Sequence, residues 1–184
     1  MRKVVWTMAL LAIIAAPAAA QTPASQNPSQ NPMSDAVRNS WNSVKRDIRE
    51  SAELMPEENY DFKPTPEVRS FGEILAHVAG ASFEFCGSAR NEEAPYQEGS
   101  FEKTARTKES IVKATNDAIA YCDAAFGQLT DANMSNSVHA AFGGKNQVTR
   151  LSSLIGQISH DNEHYGNLVT YFRLKSLVPP SSRR

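Results

Sequence analysis

Blocks of like charge, long apolar runs and internal repeats are all missing from this 184-residue chain. Its 19 basic groups against 20 acidic ones give a formal charge of −1. No cluster of Lys or Arg forms the footprint that binding to a phosphate backbone requires. Nucleic acid is therefore excluded as the expected partner. A membrane span needs about 20 consecutive apolar residues, and the one apolar stretch, near the amino terminus, meets Pro17 before reaching that length. Cysteine is scarce as well, with only Cys86 and Cys122. Two buried free thiols and a disulfide between them are both open on the residues alone.

What is present begins with a processing signal. Met1-Arg2-Lys3 gives a short basic start, Val4 to Ile14 an apolar stretch, and Ala18-Ala19-Ala20 after Pro17 a small-residue cleavage site. Residues 1–20 read as a signal peptide, so the mature protein is expected to be exported, periplasmic or secreted, and to begin near Gln21. Without Arg2 and Lys3, 17 basic groups stand against 20 acidic ones, a mature charge of about minus three. The remaining 164 of 184 residues suit one domain. Residues 21–33, rich in Gln, Asn, Pro and Ser, have too little apolar surface to offset the entropy of ordering and read as a disordered tether.

From there the pattern is helical. Ser34 is a plausible N-cap, and Val37, Trp41, Val44, Ile48 and Leu54 recur at helical spacing up to Pro56. Residues 56–69, with three prolines, predict an irregular connection anchored by Tyr60 and Phe62. Ser70 followed by Glu73 is a capping box opening a second helix to about Arg90, with Phe71, Ile74, Leu75, Val78 and Phe85 on one stripe. The acid-rich stretch 91–105 can span about 50 Å if extended, enough to cross a bundle from end to end. A third helix carries Ile111, Ile119, Cys122 and Phe126 on its apolar side, with Gly127 as its stop. In 129–147 the alternation of Val138, Ala140 and Phe142 before Gly143-Gly144 allows a small hairpin. Gln147 or Thr149 then opens a fourth helix whose stripe is Leu151, Leu154, Ile155, Ile158, Tyr165, Leu168, Val169 and Phe172, ending near Ser176. Four amphipathic helices without a long strand make the expected fold class all-α, a four-helix bundle with long connections.

Three of the four histidines form a pattern. His160 and His164 are i and i+4, so their imidazoles stand one turn apart on one helix face. His77 lies in the other strongly periodic segment that carries a histidine. Three protein ligands with an open fourth position describe a catalytic rather than a structural zinc. Relative to Ile158, His160 falls at about 200° and His164 at about 240° around the helix, beside Ser153 and Gln157, which suits a groove wall. Each histidine alone is as readily a hydrogen-bonded or exposed residue, and His139 is read in that way. The segment Asp161-Asn162-Glu163 lacks the Glu that follows the first His of a zincin peptidase. Glu73, Glu84, Asp161 and Glu163 are candidates for partners behind the imidazoles. No catalytic residue is assigned.

Pro56-Glu57-Glu58-Asn59-Tyr60, Phe62-Lys63-Pro64 and Ser70-Phe71-Gly72-Glu73-Ile74-Leu75-Ala76-His77 resemble the first signature of the DinB-like family. His160-Asp161-Asn162-Glu163-His164-Tyr165-Gly166-Asn167-Leu168, then Tyr171-Phe172-Arg173 and Val178-Pro179-Pro180-Ser181, resemble its second. The resemblance runs from Met33 to Ser182. It implies a bundle of up-down-down-up topology with a divalent metal on His77, His160 and His164. Zinc is the first candidate, with nickel, iron or manganese as others. Members are similar to thiol transferases and isomerases, which implies a metal-dependent transferase or hydrolase acting on a small-molecule substrate. The alternative is a non-catalytic metal- or ligand-binding bundle. A homodimer is compatible with either. The implied topology also favours pairing Cys86 with Cys122, since its second and third helices run parallel and the two cysteines then sit at similar height.

Overall fold

The computed structural model describes residues 29–183. The expected signal peptide, 1–20, and residues 21–28 of the tether lie outside them. The described chain has five α-helices, α1 (Pro32–Leu54), α2 (Phe71–Arg90), α3 (Ser100–Thr104), α4 (Lys108–Gly127) and α5 (Arg150–Leu174). A two-stranded hairpin, β1 (Ser137–His139) and β2 (Gln147–Thr149), precedes α5. The hairpin allowed by the sequence thus forms, antiparallel, with Val138 opposite Val148 and only Val138 turned fully inward.

Local chemistry explains most boundaries. Both halves of the Ser70–Glu73 capping box are made, at 3.2 Å and 2.7 Å, and α2 ends where Asn91 takes a left-handed conformation at φ 57°. Thr149, not Gln147, caps α5 through Ser152 N. One expectation fails for a reason outside the local sequence. Ser34 is not the N-cap of α1; Asn31 is, with Pro32 as the first helical residue, and its fixed φ suits that position. Ser34 is instead buried, because Asp131 from beyond α4 accepts hydrogen bonds from Ser34 N at 2.8 Å and Ser34 Oγ at 2.7 Å. Residues 91–105, read as a connection long enough to cross the bundle, carry the short α3 within them. Gly127 closes α4 without a left-handed turn, which falls at none of the residues there.

Side-chain contacts fix the direction of each helix. Trp41 in the first half of α1 stacks on Phe126 at the end of α4, centroids 4.7 Å apart, and Lys108 at the start of α4 donates to the carbonyl of Met55 after α1 at 2.8 Å; these two helices are antiparallel. Gly72 of α2 lies against Ile111 of α4 at one end, and a disulfide joins Cys86 to Cys122 with Cα atoms 5.3 Å apart at the other. These two are parallel. Phe71 meets Phe172 at 5.5 Å, while Gln157 reaches Ser82 at 2.8 Å, so α5 runs against α2. The result is a four-helix bundle, up-down-down-up, formed by α1, α2, α4 and α5.

Parallel α2 and α4 require the chain between them to return the length of the bundle. Residues 91–107 do so along α2, carrying α3 with them. Gly80 permits the approach, since a Cβ there would stand 3.1 Å from Gln97 O and 3.3 Å from Glu98 Cα. The crossover thereby lies over the face of α2 that bears His77.

On α5 the buried face departs from the expected stripe. Ile155 is 47% exposed, whereas Ser153, Gln157 and Asp161 are buried. A polar row therefore occupies part of what the apolar spacing marked as core, and its partners come from α2.

Candidate metal centre

α2 presents His77 to the antiparallel α5, where His160 and His164 stand on adjacent turns. The ring centroids are 5.1 Å apart for His77 and His160, 4.8 Å for His77 and His164, and 4.5 Å for His160 and His164. One nitrogen from each ring lies within 4.8 Å of the other two. His77 Nε2 and His160 Nε2 face each other at 3.2 Å. A tetrahedral ion bound at about 2.0–2.1 Å spaces its nitrogen ligands by about 3.3 Å, so this pair already has the separation that a shared ion demands.

The protonation states agree with that chemistry. Burial, reinforced by the Arg69 guanidinium and by His160, pushes His77 below the ordinary imidazole value, while Glu102 opposes the shift. Burial, with His160 and His77 and then Arg69, pushes His164 down to about 4. Near neutral pH both rings are uncharged, the form that ligates a cation. Three imidazolium groups could not share this space.

Behind the rings stand carboxylates. Glu102 Oε1 of α3 lies 2.9 Å from His77 Nδ1, and Glu98 Oε1 of the crossover 3.3 Å. His77 Nδ1–H donates to Glu102, leaving the Nε2 lone pair turned inward. On the other side, Asp161 Oδ1 is 3.5 Å from His160 Nδ1. Burial pushes the Asp161 carboxyl up, against the opposing effects of His160 and Gln157. His160 Nδ1, His164 Nδ1, Asp161 Oδ1 and Gln157 Oε1 are all buried without a hydrogen-bond partner. Such groups are costly unless something satisfies them, and among the described residues these four gather on α5 behind and beside the imidazoles.

His164 also lines a cleft of about 620 Å³, walled by the 64–69 loop and by Glu163, Asn167, Thr170 and Tyr171 of α5. Arg69 projects from that loop, 3.5 Å from Glu102. The centre therefore has open space beside it.

The remaining candidates lie elsewhere. Glu73 is committed to the capping box and to Lys63 at 2.8 Å. Glu84 accepts from Phe142 N at 3.2 Å. His139 sits exposed on β1, its ring 3.0 Å from the Gln147 amide, in keeping with its reading as a structural or exposed residue. Glu98, Glu102 and Arg69 were not singled out by the sequence. The only signal for Glu98 and Glu102 is the acid-rich composition of a connection long enough to cross the bundle, and Arg69 had none.

Bundle topology and the partly buried histidine cluster define a class of helical proteins built around a candidate metal site. Residues 40–168 match the family model of the DinB superfamily, and the chain belongs to it. Solved structures of similar fold include a DinB-like protein from Bacillus cereus ATCC 10987, 17% identical with a TM-score of 0.64, covering 79% of this chain and 95% of its own. YfiT from Bacillus subtilis is 16% identical with a TM-score of 0.59, covering 85% and 94%, and is described as a probable metal-dependent hydrolase with an unusual four-helix bundle topology. A mycothiol-dependent maleylpyruvate isomerase is 15% identical with a TM-score of 0.59; this chain spans 60% of its length, with 73% of its own residues covered. At these identities the likenesses show the fold. No curated protein matches the chain.

Proposed function

We propose that this protein is an exported enzyme that holds one divalent ion on His77, His160 and His164 and acts on a small molecule by hydrolysis or by transfer to a thiol. The observation that carries the reading is the convergence of three imidazole nitrogens within 4.8 Å beside a cleft of about 620 Å³. That volume suits a small-molecule ligand. Zinc fits the three-nitrogen donor set best, with nickel, iron or manganese as alternatives. When bound, such an ion supplies Lewis acidity that lowers the pKa of a water or of a substrate thiol.

The chain's own groups do the rest. His164 connects the ligand cluster to the cleft. Arg69, Asn167 and Thr170 offer donors along the cleft wall to orient a polar substrate, while Val68 and Ile74 supply apolar contact. Glu98 and Glu102 keep the His77 tautomer that points its lone pair inward.

Export is supported by the basic, apolar and small-residue segments of 1–20 and by the disulfide, a bond that persists in oxidising compartments. Amino-terminal sequencing of the protein recovered outside the cytosol should begin near Gln21. An unprocessed Met1 retained in the cytosol contradicts export.

Activity is tested by screening zinc-loaded protein against small esters, amides and thiol conjugates, with His160→Ala as control. Turnover that requires metal and disappears in the variant is expected. A protein that binds metal tightly yet turns over none of these classes favours the non-catalytic, ligand-binding bundle instead.

A further inference from the structure

A chain of buried polar groups runs from α2 to the back of His160, and its significance rests on the metal reading above. Ser82 Oγ donates to Val78 O at 2.7 Å. Gln157, 0% exposed, sends its Nε2 to Ser82 Oγ at 2.8 Å and to Asp161 Oδ2 at 2.8 Å. Asp161 is 1% exposed. One of its oxygens is thus tied to α2 through two side chains. The other, Oδ1, has no hydrogen-bond partner and lies 3.5 Å from His160 Nδ1, which has none either. The opposite nitrogen of that ring, Nε2, is the one that faces His77.

An aliphatic side chain would fill the position of Asp161 on this face of α5 at far lower desolvation cost. A buried carboxylate anchored at one oxygen and free at the other is better suited to hold an imidazole. At 3.5 Å the two groups face each other just beyond an ordinary hydrogen bond of about 2.8 Å.

We propose that Asp161 is a positioning residue for His160: its Oδ1 accepts the Nδ1–H, fixing the tautomer whose Nε2 lone pair points to the shared ligand position, while Gln157 and Ser82 keep the carboxylate from turning away. Glu102 does the same for His77 from the opposite side, at 2.9 Å. Two of the three imidazoles are then braced by carboxylates from different elements, one helical neighbour and one carried in by the crossover. His164, on the cleft wall, has no such brace. The competing arrangement puts the proton on Asp161, which donates to His160 Nδ1, and makes His160 Nε2–H the donor to His77. That produces a closed hydrogen-bonded trio with the opposite tautomer and no use for an ion.

The position of one proton separates the two. Imidazole ¹⁵N NMR of the zinc-loaded wild-type protein should show His160 protonated at Nδ1 and ligated through Nε2. Asp161→Asn, which preserves shape, should weaken Co²⁺ binding about 10- to 100-fold and shift the visible band of bound cobalt, with the melting temperature of the metal-free protein not lowered. His160 ligated through Nδ1, or Asp161→Asn binding Co²⁺ with wild-type affinity and an unaltered band, overturns the role. If Asp161→Asn does not fold, the wild-type NMR decides alone. Wild-type protein that takes up neither ion overturns the metal reading and this role together, an outcome distinct from the two before it.

Discussion

At the scale of the residue, two of the three clustered histidines are bases kept from protonating. His77 and His164 are held below the ordinary imidazole value, His164 at about 4. The folded protein therefore binds fewer protons than the unfolded chain as pH falls below about 6.5, and stability present above that value is lost toward about pH 4. For the metal-free protein, urea denaturation should give a stability lower by about 1–2 kcal/mol at pH 5 than at pH 7.5. Asp161, pushed up by burial, acts in the opposite sense, so the variant His164→Ala is the control. Its dependence on pH over this window should be flatter, and an equal slope in both proteins counts against the assignment. The i, i+4 pair and His77 were legible because helical spacing is a local property. Glu102 was not, since it lies 25 residues from His77 and meets it only through the fold. Nor was the burial of Asp161 and Gln157, because apolar periodicity cannot mark a polar row whose partners sit on another helix.

At the scale of the element, the crossover between α2 and α4 sets the back of the site. It carries Glu98 and Glu102 to His77, and Gly80 is what lets it lie close. Gly80→Val should push the 97–99 segment outward, lowering stability by about 1–3 kcal/mol and weakening metal binding severalfold. Calorimetric titration with zinc checks this, and unchanged affinity would show that the carboxylates are not needed where they stand. The Ser70–Glu73 capping box, Thr149 and the stripe of α1 could all be read from neighbours in sequence. The start of α1 could not, because Asp131, some 97 residues away, supplies its acceptors. Ile155 was misplaced for the reason that Gln157 was: α5 turns a mixed face inward.

At the scale of the whole molecule, the parallel pair α2 and α4 is stapled near one end by Cys86–Cys122, whose partners are 36 positions apart in sequence. Closing a loop of that length in the unfolded chain is worth about 3–4 kcal/mol in the chain-entropy model. The double variant Cys86→Ala, Cys122→Ala should lose about that much in denaturant unfolding while keeping its helical circular dichroism at low denaturant. A loss near zero would mean that packing alone sets the register. Topology is what places the site. His77 meets His160 and His164 because α5 runs against α2, and the crossover reaches them because α4 runs with it.

The most direct measurement is the metal content of protein purified without a polyhistidine tag, by inductively coupled plasma mass spectrometry. One equivalent of a divalent transition metal per chain is expected. It should be lost in His160→Ala, and its removal by chelator should lower the melting temperature of the wild-type protein. Wild-type protein with no stoichiometric metal, whose stability does not change on adding chelator or zinc, would contradict a metal centre on His77, His160 and His164.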